Sequence, residues 1–189
     1  MKTHKTLAVL AAALLAASTA RAADALPAGT LITGTASGAA TALLGLDHLF
    51  ADEPGSNVTA LAPADLEYLT RDTAVAIDFF ADGHVEIWNN TGGTALPGSY
   101  TLSFSFAGLA QPITGFAALD VSGINGGSIS YQVVNDHSVS VTFSNLSFTT
   151  EFGSFTAQIN VAAVPEPASV VLLGAGLGLL MLRRARRAA

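Results

Sequence analysis

In Tyr100-Thr101-Leu102-Ser103-Phe104-Ser105-Phe106 every even-numbered residue is aromatic or aliphatic and every odd one carries a small hydroxyl. A period of two belongs to an extended strand, whose successive side chains leave opposite faces of a sheet, and a helix cannot gather such a pattern on one face. The alternation returns in Ile129, Tyr131 and Val133, in Val139, Val141 and Phe143, and in Phe155, Ala157, Ile159 and Val161. Between Phe143 and Leu146 the apolar phase passes from odd to even numbers, and one extra residue near Ser144-Asn145, a β-bulge, accomplishes that. Ala74–Phe80 and Val85–Trp88 flank Ala81-Asp82-Gly83-His84. Asp-Gly between two apolar runs predicts a hairpin closed by a type I′ turn. Gly92-Gly93, Pro97-Gly98, Gly126-Gly127 and Asn135-Asp136 supply further turns. Ala39–Asp52 and Ala62–Thr70 read as short helices.

These segments predict an all-β domain over residues 23–163, an antiparallel β-sandwich of seven to nine strands, with a β-barrel as the alternative. All ten phenylalanines fall within residues 50–155 and are expected to dominate its core. There is no cysteine, so neither a disulfide framework nor a thiolate site is available and the core must hold the domain by itself. Half of the 189 residues are hydrophobic and 12% are charged, which excludes intrinsic disorder. Charge is also unevenly placed. Residues 23–164 carry one cation, Arg71, against thirteen acids, a net of −12. Such a stretch has nothing with which to neutralise phosphates, so no nucleic-acid partner is expected.

The other seven cations lie at the two ends. Lys2 and Lys5 precede an apolar run from Leu7 to Ala17, and Ala20-Arg21-Ala22 follows as a small-x-small site. Residues 1–22 therefore read as a secretory signal cleaved after Ala22, because eleven apolar residues are too few to cross a bilayer. The C-terminal residues 164–189 hold three parts in order: Val164-Pro165-Glu166-Pro167, an apolar run from Ala168 to Leu182, and the cluster Arg183, Arg184, Arg186 and Arg187. The prolines bias the first part to an open, extended strand that a protease can grip. The fifteen-residue run predicts a single short transmembrane helix. It falls below the roughly 20 residues of an ordinary span, a gap that snorkelling arginines and local thinning close. The arginines hold their end in the cytoplasm, so residues 23–163 face outward.

This tail resembles the PEP-CTERM sorting signal of Gram-negative bacteria, which combines a Pro-Glu-Pro motif, a short hydrophobic helix and a terminal arginine cluster. Val164-Pro165-Glu166-Pro167-Ala168-Ser169 matches the motif letter by letter. The resemblance implies an exosortase as processing partner, a membrane-embedded cysteine transpeptidase that cuts near the motif. It further implies export through the inner membrane, transient anchoring by the C-terminal helix, and delivery to the cell surface or an extracellular matrix. The family is linked to exopolysaccharide and biofilm. The resemblance is confined to the tail and implies nothing about the fold of residues 23–163.

Within that domain, chemistry-bearing groups are sparse. No G-x-S-x-G, H-E-x-x-H or G-x-x-x-x-G-K-[ST] pattern occurs. His84 and His137 stand beside turns and His48 in an expected helix. No catalytic residues are assigned, and a non-catalytic protein is expected. A secreted hydrolase is the least favoured alternative, with Asp78, Asp82, Glu86 and Asp120 as the carboxylates a glycosidase would need. No cofactor or metal ligand set is assigned. Calcium is the one ion worth considering, at Asp47, Asp52 and Glu53 or at Asp78 and Asp82, because it takes oxygen ligands from loops; neither group has EF-hand spacing. Tyr100 and Tyr131 are in phase with core positions. Trp88 is out of phase with Val85 and Ile87, and it is the one candidate ligand contact, exposed on a sheet edge, for an exopolysaccharide-binding adhesin.

Overall fold

The structure, a computed structural model, describes residues 25–163. The signal residues Ala20 and Ala22, the sorting motif, the apolar run and the arginine cluster all lie outside the described residues. Among the described residues no helix is long and apolar enough to cross a membrane.

The chain forms eleven strands: β1 (Leu31–Gly38), β2 (Leu43–Gly45), β3 (Val58–Ala60), β4 (Tyr68–Thr70), β5 (Val75–Phe79), β6 (His84–Asn89), β7 (Ala95–Ala107), β8 (Ile113–Asp120), β9 (Ile124–Asn135), β10 (Ser138–Phe148) and β11 (Ser154–Val161). They make two sheets, ordered β3-β1-β7-β10-β9 and β2-β4-β5-β6-β11-β8, and the pairings within both are antiparallel. The all-β expectation holds, and two separate sheets take the place of a closed barrel. Eleven strands exceed the seven to nine expected, because β2, β3 and β4 have three residues each, too few to display a period.

The two segments read as helices are corrected for the same reason. Ala39–Asp52 contains β2 and a single 3₁₀ turn, Leu46–His48, and Ala62–Thr70 contains loop and β4. Leu43 and Leu44 are both buried. Consecutive buried residues are a tertiary outcome that local pattern does not encode.

The alternating residues meet between the sheets. Phe79 of β5 packs edge-on against Phe104 and Phe106 of β7, with ring centroids 4.9 and 5.7 Å apart. Phe143 of β10 packs edge-on against Phe155 of β11 at 5.6 Å. Seven of the ten phenylalanines are buried; Phe50 and Phe80 are half-buried and Phe152 is exposed. Tyr68 of β4 is fully buried and its hydroxyl donates across the sandwich to the Ile32 carbonyl of β1 at 2.6 Å.

The expected bulge is present. The β7–β10 register shifts between Ser144 and Leu146, and Asn145 takes a left-handed φ of 47°. Its side-chain oxygen accepts from the Gly98 N–H at 3.0 Å.

The β5–β6 hairpin is also present, but its turn is not type I′. Gly83 has φ +87° while Asp82 has no positive φ. Gly83 N–H donates to Phe80 O at 2.9 Å, and Phe80 N–H to His84 O at 2.9 Å. This is a type I turn followed by a glycine bulge, one residue longer than a type I′ connection. Asp82 Oδ1 accepts from the His84 N–H, a role that suits aspartate without positive φ.

A Cβ on Gly83 would stand 2.4 Å from the Ile159 carbonyl oxygen, whereas one on Gly108, at φ +78°, would meet nothing within 4 Å. Gly83→Val is expected to destabilise the domain by about 3 kcal/mol or more, through backbone clash added to strain. Gly108→Ala is expected to cost about 1 kcal/mol, from strain alone. Thermal unfolding of the two variants checks the difference.

Candidate functional site

The outer face of the six-stranded sheet collects the ionisable groups. Ile77, Ile87 and Phe155 point into the core. Alternation therefore turns Asp78, Glu86, Trp88, Ser154, Thr156 and Gln158 outward. Register then sets Asp78 opposite Glu86, Glu86 opposite Thr156, and Thr156 opposite Asp120. One step beyond the Tyr68–Ile77 pair brings Glu67 opposite Asp78. The result is a row of carboxyl groups running across the strands, of which sequence reading had Asp78, Glu86 and Asp120 but not Glu67.

Glu67 is the unusual member, because it is fully buried. The β4–β5 ladder ends at Tyr68–Ile77, and the Glu67 side chain continues it: Oε2 accepts from the Phe79 N–H at 2.7 Å. Oε1 accepts from the Ala62 N–H at 2.8 Å, tying the loop before β4 to the sheet. Burial pushes its carboxyl up to about 8, outweighing the two N–H bonds, and the neighbouring Asp78 carboxyl adds to the rise. Asp78 is likewise raised, first by burial, with the Glu86 charge contributing, and its Oδ1 is buried without a hydrogen-bond partner. Glu67 is therefore favoured in its protonated form at neutral pH, with the half-buried Asp78 facing it. At the far end Asp120 is lowered by bonds from the Ser122 backbone and side chain.

The carboxyl, serine and histidine groups considered for a hydrolase are engaged separately among the described residues. A general acid must touch the bond it protonates, and Glu67, the strongly raised carboxyl, has no exposed surface. Asp82 is committed to its turn. The Ser154 hydroxyl donates to Glu86 Oε1 at 2.7 Å, so it engages a carboxylate rather than a histidine base. His84 stacks on Phe80 at 4.9 Å and its Nε2 is buried without a partner. His48 Nδ1 bonds Glu53 Oε1 at 2.6 Å. His137 is exposed beside the β9–β10 turn.

The loop acids considered for calcium each have a separate engagement. Asp52 forms a two-pronged pair with Arg71, whose Nε lies 2.7 Å from Oδ2. Glu53 holds His48. Asp47 Oδ2 accepts from the Ala60 N–H at 2.9 Å. Among the described residues no three His, Asp or Glu side chains are grouped to hold a metal ion.

Trp88 is 40% exposed on the outer face, but β6 lies between β5 and β11, so it stands on an interior strand and not on a sheet edge. Phe152, two residues before Trp88's cross-strand neighbour Ser154, is 59% exposed. Sequence reading counted Phe152 with the core; its place in Glu151-Phe152-Gly153, between an acid and a glycine, was the available signal. Tyr100 is buried as expected, while Tyr131 on β9 is half-buried.

No protein-family model, curated protein or solved structure matches the chain.

Glu67, facing Asp78, gives stability a pH dependence with a definite sign. Its folded pKa of about 8 lies above the ordinary 4.5, so across that window the folded chain holds a proton the unfolded chain has released. Stability from Glu67 is complete at acid pH and is lost as pH rises toward and through 8. The expected outcome is a midpoint of thermal unfolding that falls from pH 5 to pH 9. Glu67→Gln should flatten that slope while lowering stability at pH 5 by about 1–3 kcal/mol, since one amide oxygen replaces two N–H acceptors.

Proposed function

We propose that this protein is an exported, non-catalytic component of the cell surface or extracellular matrix, sorted and processed by an exosortase through its C-terminal tail and associated with exopolysaccharide. The observation that carries the reading is the ordered tail, Val164-Pro165-Glu166-Pro167, then residues 168–182, then Arg183, Arg184, Arg186 and Arg187. A Ser/Thr-rich, acid-bearing domain with one cation suits a hydrated environment outside the cell. Replacing Pro165, Glu166 and Pro167 with alanine is expected to leave the full-length chain held in the membrane of its native host. Processing and release of that variant at the wild-type level would remove the exosortase from the reading.

A second reading, a carbohydrate-binding adhesin, is favoured by the exposed Trp88 on the outer face of the six-stranded sheet and the exposed Phe152 in the turn before β11. Aromatic faces stack on sugar rings, and Glu86 beside Trp88 offers a hydroxyl acceptor. The other sheet is less suited to this task. Its outer hydroxyls already bond one another in cross-strand pairs, Thr101 with Thr142 at 3.0 Å, Ser103 with Ser140 at 2.9 Å and Ser144 with Ser99 at 2.9 Å. Monovalent affinity for one glycan chain is therefore expected to be about millimolar or weaker, with avidity supplying any firm attachment. Titration of the released protein with host exopolysaccharide, with and without Ca²⁺, measures this. Submicromolar binding abolished by a chelator would make the acid-rich loops a calcium-dependent lectin site and displace the scaffold reading.

A further inference from the structure

The two sides of the sandwich end very differently. On one side the edge strands are β3 and β2, three residues each. Edges that short offer little to pair with. On the other side the edges are β8, with eight residues, and β9, with twelve. From Ile124 to Asn135 there is no charged residue and no proline, the two features that ordinarily blunt an edge. Against β10 the stretch Ser128–Val133 keeps an unbroken register, bounded by irregularities near Gly126 and near Val134. Ser128, Ser130 and Gln132 are exposed on its outer face. The N–H and C=O groups that alternate away from β10 have no strand beyond them in the sheet.

We infer that β9 is a homotypic docking edge, at which a second copy of this chain adds its own β9 antiparallel and joins two five-stranded sheets into one. Charge and the placement of exposed apolar groups both select a second copy as the occupant. In a domain carrying thirteen acids and one cation, the acid-bearing outer face of the six-stranded sheet would set carboxylate against carboxylate if two copies met there. The β9 edge is a place where they meet without that opposition along its own length, since it carries no acid from Ile124 to Asn135. Leu119 and Val121, 56% and 42% exposed, lie just before β9, and Val134, 52% exposed, lies near its end. A two-fold antiparallel pairing lays the end of each strand beside the start of the other, so it covers both exposed groups together. The inference concerns the domain's own edge and stands whether or not the tail is an exosortase signal.

The absence of cysteine makes the test clean. Full-length chains carrying Ser128→Cys, Ser130→Cys or Gln132→Cys, each singly, are expressed in a Gram-negative host and oxidised with copper–phenanthroline in whichever fraction holds them. Ser105→Cys, an exposed position on β7 with a strand partner on both sides, serves as the collision control. At least one β9 position is expected to give disulfide-linked dimer at about five times the control yield or more, the best position marking the two-fold axis. Adding Ser130→Lys to the best variant among Ser128→Cys and Gln132→Cys sets two ammonium groups across the joint and should return it to the control level. Differently tagged full-length wild-type chains should also co-purify, and lose that when both carry Ser130→Lys. Dimer yields no higher than the control at all three positions, or co-purification untouched by Ser130→Lys, would overturn the inference.

Discussion

Phe79 standing edge-on between Phe104 and Phe106 is the contact from which the remainder of the domain can be reasoned. It joins the two sheets through their middles, in a chain with no disulfide to do so. Burial of those rings contributes on the order of 2–3 kcal/mol each, and their edge-to-face geometry adds to it. Tyr68 extends the same seam with a polar tie, since its hydroxyl reaches the Ile32 carbonyl of the opposite sheet. That reach needs room. A Cβ on Gly34 would stand 2.7 Å from Leu43 Cδ1 and 3.2 Å from Tyr68 Cζ, so the strand carries glycine there.

Because the core fixes which face is inward, it also decides what each outer face can be. On the five-stranded sheet the outward positions of β7 and β10 are serine and threonine, and register pairs them hydroxyl to hydroxyl. These groups satisfy one another and leave a bland surface. On the six-stranded sheet the outward positions of β5, β6 and β11 include carboxyls, Trp88 and Ser154. Glu67 shows how closely chemistry and architecture are joined here. Its carboxyl takes the place of the backbone acceptor that β4 fails to provide for Phe79, so the proton it holds is part of the fold's hydrogen bonding. Its raised pKa follows first from burial, against the two N–H bonds that lower it.

The long strands were legible because β7, β9, β10 and β11 combine a regular period with a one-sided core. The bulge at Asn145 was legible because a strand can move its apolar residues from odd to even numbers, and keep them on one face, only by inserting a residue. What sequence pattern missed was short or depended on distant contacts. Leu43-Leu44-Gly45 and Tyr68-Leu69-Thr70 are strands because partners meet them, Leu43 with Thr70 and Tyr68 with Ile77, and three residues carry no period of their own. Asp82-Gly83 announced a turn but not its type, which depends on whether one or two residues take positive φ. The phase of Trp88 allowed it to face out or to lie against a second layer, and its strand's position in the sheet was fixed by β11, which returns more than sixty residues later. Glu67 was invisible because an acid beside a strand is ordinarily solvated, and only the converging N–H groups of Ala62 and Phe79 account for its burial.

A sheet whose outer face is nearly uniform in serine and threonine faces a problem of register. If β10 slipped against its neighbours by two residues, apolar groups would still face inward and hydroxyls would still find hydroxyls. The polar side therefore discriminates poorly between registers, and something local must do so. The bulge region supplies it. Gly127 of β9, at φ +96°, lies so close to the bulge that a Cβ would stand 2.6 Å from Ser144 O, 2.7 Å from Asn145 O and 2.8 Å from Leu146 Cα. A slip of two would bring Asn125 or Ile129 to that place, and neither side chain could be accommodated against three backbone atoms. Asn145 fixes the other flank by accepting from the Gly98 N–H, which ties the bulge to one position along β7. Three elements, β7, β10 and β9, are thus locked to a single register by one irregularity and the glycines that fit it, and the hydroxyl ladder follows from that lock.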